Sequence, residues 1–338
     1  MQETSGASNL RLVPASQVPD AIRARLINDA YAGYYVPLQV TEDQVSRMDL
    51  AYDVDLRRSV VAYVGADPAG LALLGRRGTR GWIHSVGTLP SWRRCGIAKA
   101  MLAHVIAAAC DAGVDDLSLE VLTQNTPALH LYESLGFRSS RELLTWRRPA
   151  DEDPLPIPSQ QLVPAEPASL FGYITSWQAK SRGVGGANSR TAKARVLGGV
   201  GGAEPRAFLE DELSSWQRQV ESLKKFDSNL KGYWLPDEAA GSVRRDWEPL
   251  RQEGDPRVDG CCLVGGSDHG VSIMAACTRP GADALSRGRV LFQAISAIYP
   301  RQVLSMSNIP ADATLCRVLA ALRFTVTMRQ FEMVLQLR

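Results

Sequence analysis

A chain of 338 residues, 45% hydrophobic and 22% charged, is long enough for two ordinary domains and too apolar to stay disordered. Its 38 basic and 36 acidic side chains leave a formal charge of +2, so no strong field marks a nucleic-acid or membrane partner. No window nears the ~20 apolar residues of a membrane span, and the start MQETSGASNL lacks the basic and apolar parts of a signal peptide.

The expected location is therefore the cytoplasm. Cys95, Cys110, Cys261, Cys262, Cys277 and Cys316 form no Cys-x-x-Cys pair and have no histidine at zinc spacing. They read as free thiols in a reducing compartment, and no metal site is expected.

Residues 1–9 read as a flexible tail. Val60–Val64 and Leu71–Leu74 are β-type runs, and the turn-rich Gly65–Gly70 between them predicts a hairpin with a six-residue loop. Trp82–Thr88 is a third strand. Ile97–Ala112 predicts a helix with Ile97, Met101, Val105, Ala108 and Ala109 on one stripe and Gly113 as its stop. Leu117–Leu122 reads as a strand, Pro127–Leu135 as a helix closed by Gly136, and Arg141–Arg148 as a strand. Antiparallel strands followed by alternating strands and helices predict an α/β layered domain over residues 10–149.

Residues 150–160 are proline-rich and read as a linker, before a second domain over 161–338. Within it, 181–204 is glycine-rich and reads as mobile. An amphipathic helix is expected over Ala207–Phe226, carrying Phe208, Leu213, Trp216, Val220 and Leu223. Strands at Gly260–Val264 and Val271–Cys277, a helix over Ala284–Ile298, a strand at Val303–Met306, a helix from Asp312 and a strand ending near Leu337 complete the pattern. The second half echoes the first.

The most informative residues are Arg93-Arg94-Cys95-Gly96-Ile97-Ala98, which follow a strand and open a helix. Amides at a helix N-terminus have no intrahelical acceptors and attract anions. Gly96 admits a phosphate close to the backbone, and Ala98 leaves the first turn uncluttered. The loop lacks the spacing and the Lys-Ser/Thr end of a Walker A loop. An ordinary strand-to-helix turn has the same local pattern.

Arg93-x-x-Gly96-x-Ala98 resembles the first signature of the GNAT N-acetyltransferase superfamily, and Asn125-x-x-Ala128-x-x-Leu131-Tyr132-x-x-x-Gly136-Phe137 resembles the second. The resemblance covers residues 10–148 and includes the opening run Tyr31-Ala32-Gly33-Tyr34-Tyr35-Val36-Pro37-Leu38. It implies two GNAT-like domains, each a mixed, mostly antiparallel sheet flanked by helices, the second degenerate. It further implies acetyl-CoA as co-substrate, its pantetheine arm paired with the backbone of Val86 and Thr88 between two splayed strands. The loop Arg93, Arg94, Cys95, Gly96, Ile97, Ala98 and Lys99 is implied to bind the pyrophosphate through its backbone. Many members carry glycine where Cys95 stands.

Asn125 can cap the following helix and also contact the pantetheine. Tyr132 is implied to protonate the departing thiolate, a transfer between groups of comparable basicity. A primary amine near pKa ~10 must lose a proton before it attacks. His84, expected on one strand face with Trp82 and Val86, is a candidate base; so is Glu120, which otherwise reads as half of a cross-strand ion pair.

In the second half Asp312, Leu319 and Arg323 replace Asn125, Tyr132 and Gly136, and Cys277-Thr278-Arg279-Pro280-Gly281-Ala282 is no phosphate loop. That copy is expected to keep the core and lose the chemistry, covering the first domain, shaping the acceptor pocket or mediating a homodimer. The implied function is acetyl transfer from acetyl-CoA to a small-molecule or peptide amine by direct attack. Two other classes stay open: a non-catalytic acyl-CoA-binding sensor, and a partner-binding protein docking through the Trp216 helix.

Overall fold

The computed structural model describes residues 9–35, 38–182, 220–225, 230–237, 258–267, 270–279, 281 and 283–338. Residues 1–8, Val36, Pro37, most of the glycine-rich 181–204 segment, and Phe208, Leu213 and Trp216 of the expected helix lie outside the described residues.

In chain order the elements begin with β1 (Leu10–Pro14), α1 (Asp20–Ala30), α2 (Glu42–Ala51), β2 (Val60–Val64), β3 (Asp67–Arg77) and β4 (Arg80–Thr88). Next come α3 (Ile97–Asp111), β5 (Asp116–Leu122), α4 (Thr126–Ser134), β6 (Arg138–Arg148), β7 (Val163–Ala165) and α5 (Pro167–Arg182). After these stand α6 (Val220–Lys225), β8 (Leu230–Pro236), β9 (Val258–Ser267), β10 (Gly270–Thr278) and α7 (Ala284–Ile298). The last are β11 (Leu304–Pro310), α8 (Thr314–Ala321) and β12 (Thr325–Gln336). No described helix is long and apolar enough to cross a membrane.

The chain forms two compact units, one of Met1–Glu142 with Gln330–Arg338 and one of Leu143–Arg329. This division differs from one at the proline-rich linker. Both β6 and β12 are divided between the units, so the last residues of the chain complete the sheet of the first unit.

In the first unit the strands run β1-β2-β3-β4-β5-β12-β6. Pairing is antiparallel at β1/β2, β2/β3, β3/β4 and β5/β12, and parallel at β4/β5. Period-2 alternation sorts the strand side chains onto two faces. Val60, Ala62, Ala72, Leu74 and Ile83 join Ile97, Met101, Leu102, Val105 and Ala109 of α3 in one core. Val61, Leu71 and Leu73 join Leu26 and Ile27 of α1 in another. The buried stripe of α3 includes Leu102, where the sequence pattern pointed to Ala108. Each fully buried Leu, Ile or Met contributes about 1.5–3 kcal/mol, so the layer, not helix propensity, holds α3 in place.

The hairpin is tighter than expected. Val64 pairs Asp67, leaving a two-residue turn in which Gly65 has φ 62°. The strand tolerates Pro68 because the register shifts beside it, between Ala62 and Tyr63. A closer approach lies at Gly70, where an added Cβ would stand 2.5 Å from the Gly87 carbonyl oxygen. Gly70→Ala should therefore cost about 1–3 kcal/mol in urea denaturation. Gly266→Ala, whose Cβ meets nothing within 4 Å, is the control and should change little.

In the second unit the order is β12-β6-β11-β10-β9-β8-β7, with β10/β11 parallel and β6/β11, β9/β10, β8/β9 and β7/β8 antiparallel. Leu291, Phe292 and Ile295 of α7 and Leu315, Val318 and Leu319 of α8 pack on Cys262, Val264 and Ile273. Leu170, Phe171, Tyr173 and Ile174 of α5 and Leu223 of α6 pack on Cys261, Leu263 and Cys277. The succession β9-β10-α7-β11-α8-β12 repeats β3-β4-α3-β5-α4-β6.

Candidate active site

A V-shaped gap opens in the first unit because β4 and β5 pair only at Arg80–Trp82 with Asp116–Ser118. Beyond that point β4 keeps β3 on its other edge, and β5 takes β12. The inner edge of β4 from Ile83 onward is left without a β5 partner. A bulge follows: His84 pairs Leu73 and Gly87 pairs Leu71, so Ser85 and Val86 together oppose Ala72. Ser85 takes φ 50°.

The bulge corrects the expected strand face. Trp82 and His84 stack on each other, with ring centroids 4.9 Å apart. Val86 instead packs with Ile83 in the α3 core. An extra residue reverses the alternation, which the sequence spacing assumed to be unbroken.

At the open end of the V, Arg94 has φ 64° and Gly96 φ 79°, turning the chain into α3. The α3 N-terminus has no side-chain cap and no acidic residue in its first turn. A Cβ built on Gly96 meets nothing within 4 Å, so the space before these amides is open. The side chain of Arg93 turns backward, donating Nη2 to the Ala30 carbonyl at 3.0 Å and Nε to the Thr88 carbonyl at 3.3 Å. Arg93 fixes the loop, while exposed Arg94, Cys95 and Lys99 leave the amides accessible and Ile97 anchors the turn in the core. Ala98 is half-buried in that first turn. Thr88 Oγ1 is buried without a partner beside the bulged edge. These residues fit a pyrophosphate-bearing co-substrate such as acetyl-CoA.

Asn125 caps the helix as expected and also reaches the residues after α1. Its Oδ1 accepts from Ala128 N–H at 3.3 Å, capping α4, and its Nδ2 donates to Tyr34 Oη at 3.1 Å. Tyr31 Oη donates to the Val86 carbonyl at 3.2 Å, and Tyr35 Oη to the Gln124 carbonyl at 3.4 Å. The residues after α1 are thus tied to both β4 and the β5–α4 turn. Tyr132 of α4 is buried beside Tyr31 and Tyr34, and burial holds its phenol well above the ordinary range. It keeps its proton until a stronger base appears.

The two base candidates separate on their surroundings. His84 is buried, and loss of hydration alone lowers its imidazole to about 4. Its Nε2 lies 2.9 Å from Ser85 Oγ, and Tyr52 packs edge-on at 5.3 Å. Such a ring is neutral and a weak proton acceptor. Glu120 accepts from Trp82 Nε1 through Oε2 at 2.7 Å, while its Oε1 is sealed from solvent and unpartnered. Burial first, and then the Glu332 carboxylate, push Glu120 up to about 8. The spacing of sequence motifs missed Glu332, Arg141 and Tyr52; a lone carboxylate within Phe331-Glu332-Met333-Val334-Leu335 was the available signal.

The second unit keeps the frame without these groups. Its parallel pair β10/β11 spans only Val271–Ser272 with Leu304–Ser305, so the same kind of gap opens. Leu319 sits in the core where Tyr132 stands in the first unit, and α8 has no side-chain cap. After β10, Arg279 pairs with Asp237 and Asp259, each at 2.7 Å, and Arg287 pairs with Asp259 at 3.1 Å. An ion-pair cluster thus follows the strand that would precede a phosphate loop.

Residues 24–137 match the acetyltransferase (GNAT) family. Over 80 residues the chain is 41% identical to the Uncharacterized N-acetyltransferase YsnE of Bacillus subtilis, covering 23% of this chain and 53% of that protein. Over 58 residues it is 38% identical to the ribosomal protein bS18-alanine N-acetyltransferase of Escherichia coli K12, covering 17% of this chain and 39% of that protein. The chain thus spans about half or less of these curated relatives. A tandem GNAT protein from the clavulanic acid biosynthesis pathway shares the fold, with TM-score 0.63 over 97% of this chain and 99% of that chain at 16% identity. Both signatures stand on the elements that the site requires, and the match of residues 24–137 to the acetyltransferase (GNAT) family lies across them.

Proposed function

We propose that the first unit moves an acetyl group from acetyl-CoA to a primary amine by direct attack, with Glu120 taking the amine's proton and Tyr132 supplying a proton to the leaving sulfur. The observation that carries this reading is Glu120 itself: an unpartnered, sealed oxygen on a carboxyl raised to about 8. A structural carboxylate in a cross-strand ion pair would be satisfied and shifted downward.

Acetyl-CoA supplies the thioester whose carbonyl carbon receives the amine. The amides from Arg94 to Lys99 hold its pyrophosphate, and the backbone of Val86 and Thr88 lines its arm. Over one turnover the ammonium gives up two protons, one to restore the lone pair and one as the amide forms. Glu120 accepts one of them and solvent the other, and Tyr132 gives its phenolic proton to the sulfur as the C–S bond breaks. Exchange with solvent resets both groups and releases one net proton.

The proton affinity of Glu120 matches an α-amine, near pKa ~7.7–8.0, better than an ε-amine near ~10. Together with the alanine N-acetyltransferase match, this supports a peptide or amino-acid α-amine as the first acceptor class to test. The six free thiols support a cytoplasmic setting.

Tyr132→Phe tests the reading. Free-thiol release on an α-amine panel should fall about 10²-fold, with thermal stabilisation by acetyl-CoA retained. Binding by the wild-type protein without turnover on any amine would make it an acyl-CoA-binding sensor.

A further inference from the structure

We propose that Glu332, which the C-terminal strand brings directly opposite Glu120, is a positioning residue that governs when Glu120 can take the amine's proton. This rests on the reading of Glu120 as proton acceptor. In the β5/β12 ladder, Glu120 and Glu332 are Cα partners, with Leu119 facing Met333 and Val121 facing Phe331 on either side. Residues directly opposite in an antiparallel pair point to the same face, where two carboxylates repel each other.

Arg141 of β6 bonds directly to only one of them. Its Nε donates to Glu332 Oε2 at 2.7 Å and its Nη2 to Oε1 at 3.2 Å, so the guanidinium fork engages both oxygens. Ser140 Oγ adds a bond to the Glu332 carbonyl at 3.1 Å and a longer one to Oε2 at 3.4 Å. This cluster is complete without Glu120. Glu332 is thus held on both oxygens, whereas Glu120 opposite has the Trp82 N–H on Oε2 and an unpartnered Oε1.

The other groups bearing on Glu120 come from β4 and the end of α2. His84 is neutral, and Tyr52, pushed up to about 12 by burial and by Glu120, keeps its proton. Glu332 and Arg141 are thus the charges beside Glu120, and they act in opposite senses. The far end of the chain supplies one of them.

Full-length protein labelled with carboxyl-13C glutamate gives a direct test by NMR titration, with the Glu120 signal assigned by its loss in Glu120→Gln. Because the two carboxyls interact, the upper midpoint of the pair is followed. Glu332→Gln, which is isosteric, should move that midpoint down by about one pH unit, and Arg141→Gln should move it up by about one. The acid limb of thiol release should follow in both variants. Opposite shifts from two residues of one ion pair are not produced by loosened packing, which would move both the same way. An unchanged midpoint in Glu332→Gln, or shifts of the same sign in both variants, overturns the proposal. Full turnover by Glu120→Gln would overturn Glu120 as acceptor instead, whatever the midpoints do.

Discussion

Glu120→Gln lowers turnover by about 10²–10⁴-fold, the range for loss of a positioned base, while thermal stabilisation by acetyl-CoA persists. The amide keeps an oxygen to accept the Trp82 N–H, so the local bond at 2.7 Å is preserved and only the proton-accepting function is lost. In the wild type the group must be ionised to act. With its carboxyl at about 8, kcat/KM rises through pH 8 and falls tenfold per unit below it. The variant loses this limb and keeps only the ionisation of the amine.

Stability moves the other way. A carboxyl whose folded pKa lies above its unfolded value contributes stability that is fully present below about 4.5 and lost as pH rises through 8. Glu120→Gln is therefore expected to be more stable than wild type at pH 9, by roughly 2–4 kcal/mol in urea denaturation, and indistinguishable at pH 4. Turnover within twofold of wild type would remove Glu120 as the base and return the question to His84.

The parts of this site that the sequence made legible are those built within one stretch of chain. The loop proposed to hold phosphate needs only a strand end, two residues at positive φ and an open helix N-terminus, all inside Thr88–Ala100. Asn125 and Tyr132 lie on one short helix and its cap, so their spacing fixes their relation. The face of Val86 was not legible, because a bulge depends on how β3 receives β4 and leaves no local signature. Glu332 was not legible for a related reason. Its partner Glu120 lies in the other half of the sequence, and pairing register across such a distance is set by the sheet.

The same physics explains the unit boundary. Pro154, Pro156 and Pro158 mark an extended connection, which composition reveals. Sheet membership is decided instead by which edge strand each segment covers, and the two ends of β12 cover different ones. Leucine at 319 and arginine at 323 could be read directly as departures from the second signature, standing where the first half has Tyr132 and Gly136. Arg323 even retains the left-handed turn of Gly136, at φ 62° against 94°, keeping the backbone and discarding the residue suited to it.

Gly96→Glu lowers affinity for acetyl-CoA by about 10²-fold or more in isothermal titration calorimetry, from the combined loss of amide contacts and gain of a repelling charge. Gly96 occupies φ 79°, which costs a non-glycine residue about 1–2 kcal/mol, so some destabilisation accompanies any substitution there. An added Cβ meets nothing within 4 Å, so the chain still folds and the new side chain extends into the open space before α3. A carboxylate in that space meets the same unpaired amides that would hold the pyrophosphate and occupies them. Gly96→Ala separates the causes, because it carries the backbone strain without the charge and should lose affinity by about tenfold or less. If the glutamate and alanine variants bind acetyl-CoA equally well, charge at the α3 N-terminus is irrelevant and the phosphates lie elsewhere. If the glutamate variant alone fails, the loop from Arg93 to Lys99 is the anion site, and the first unit holds its co-substrate by backbone rather than by side chain.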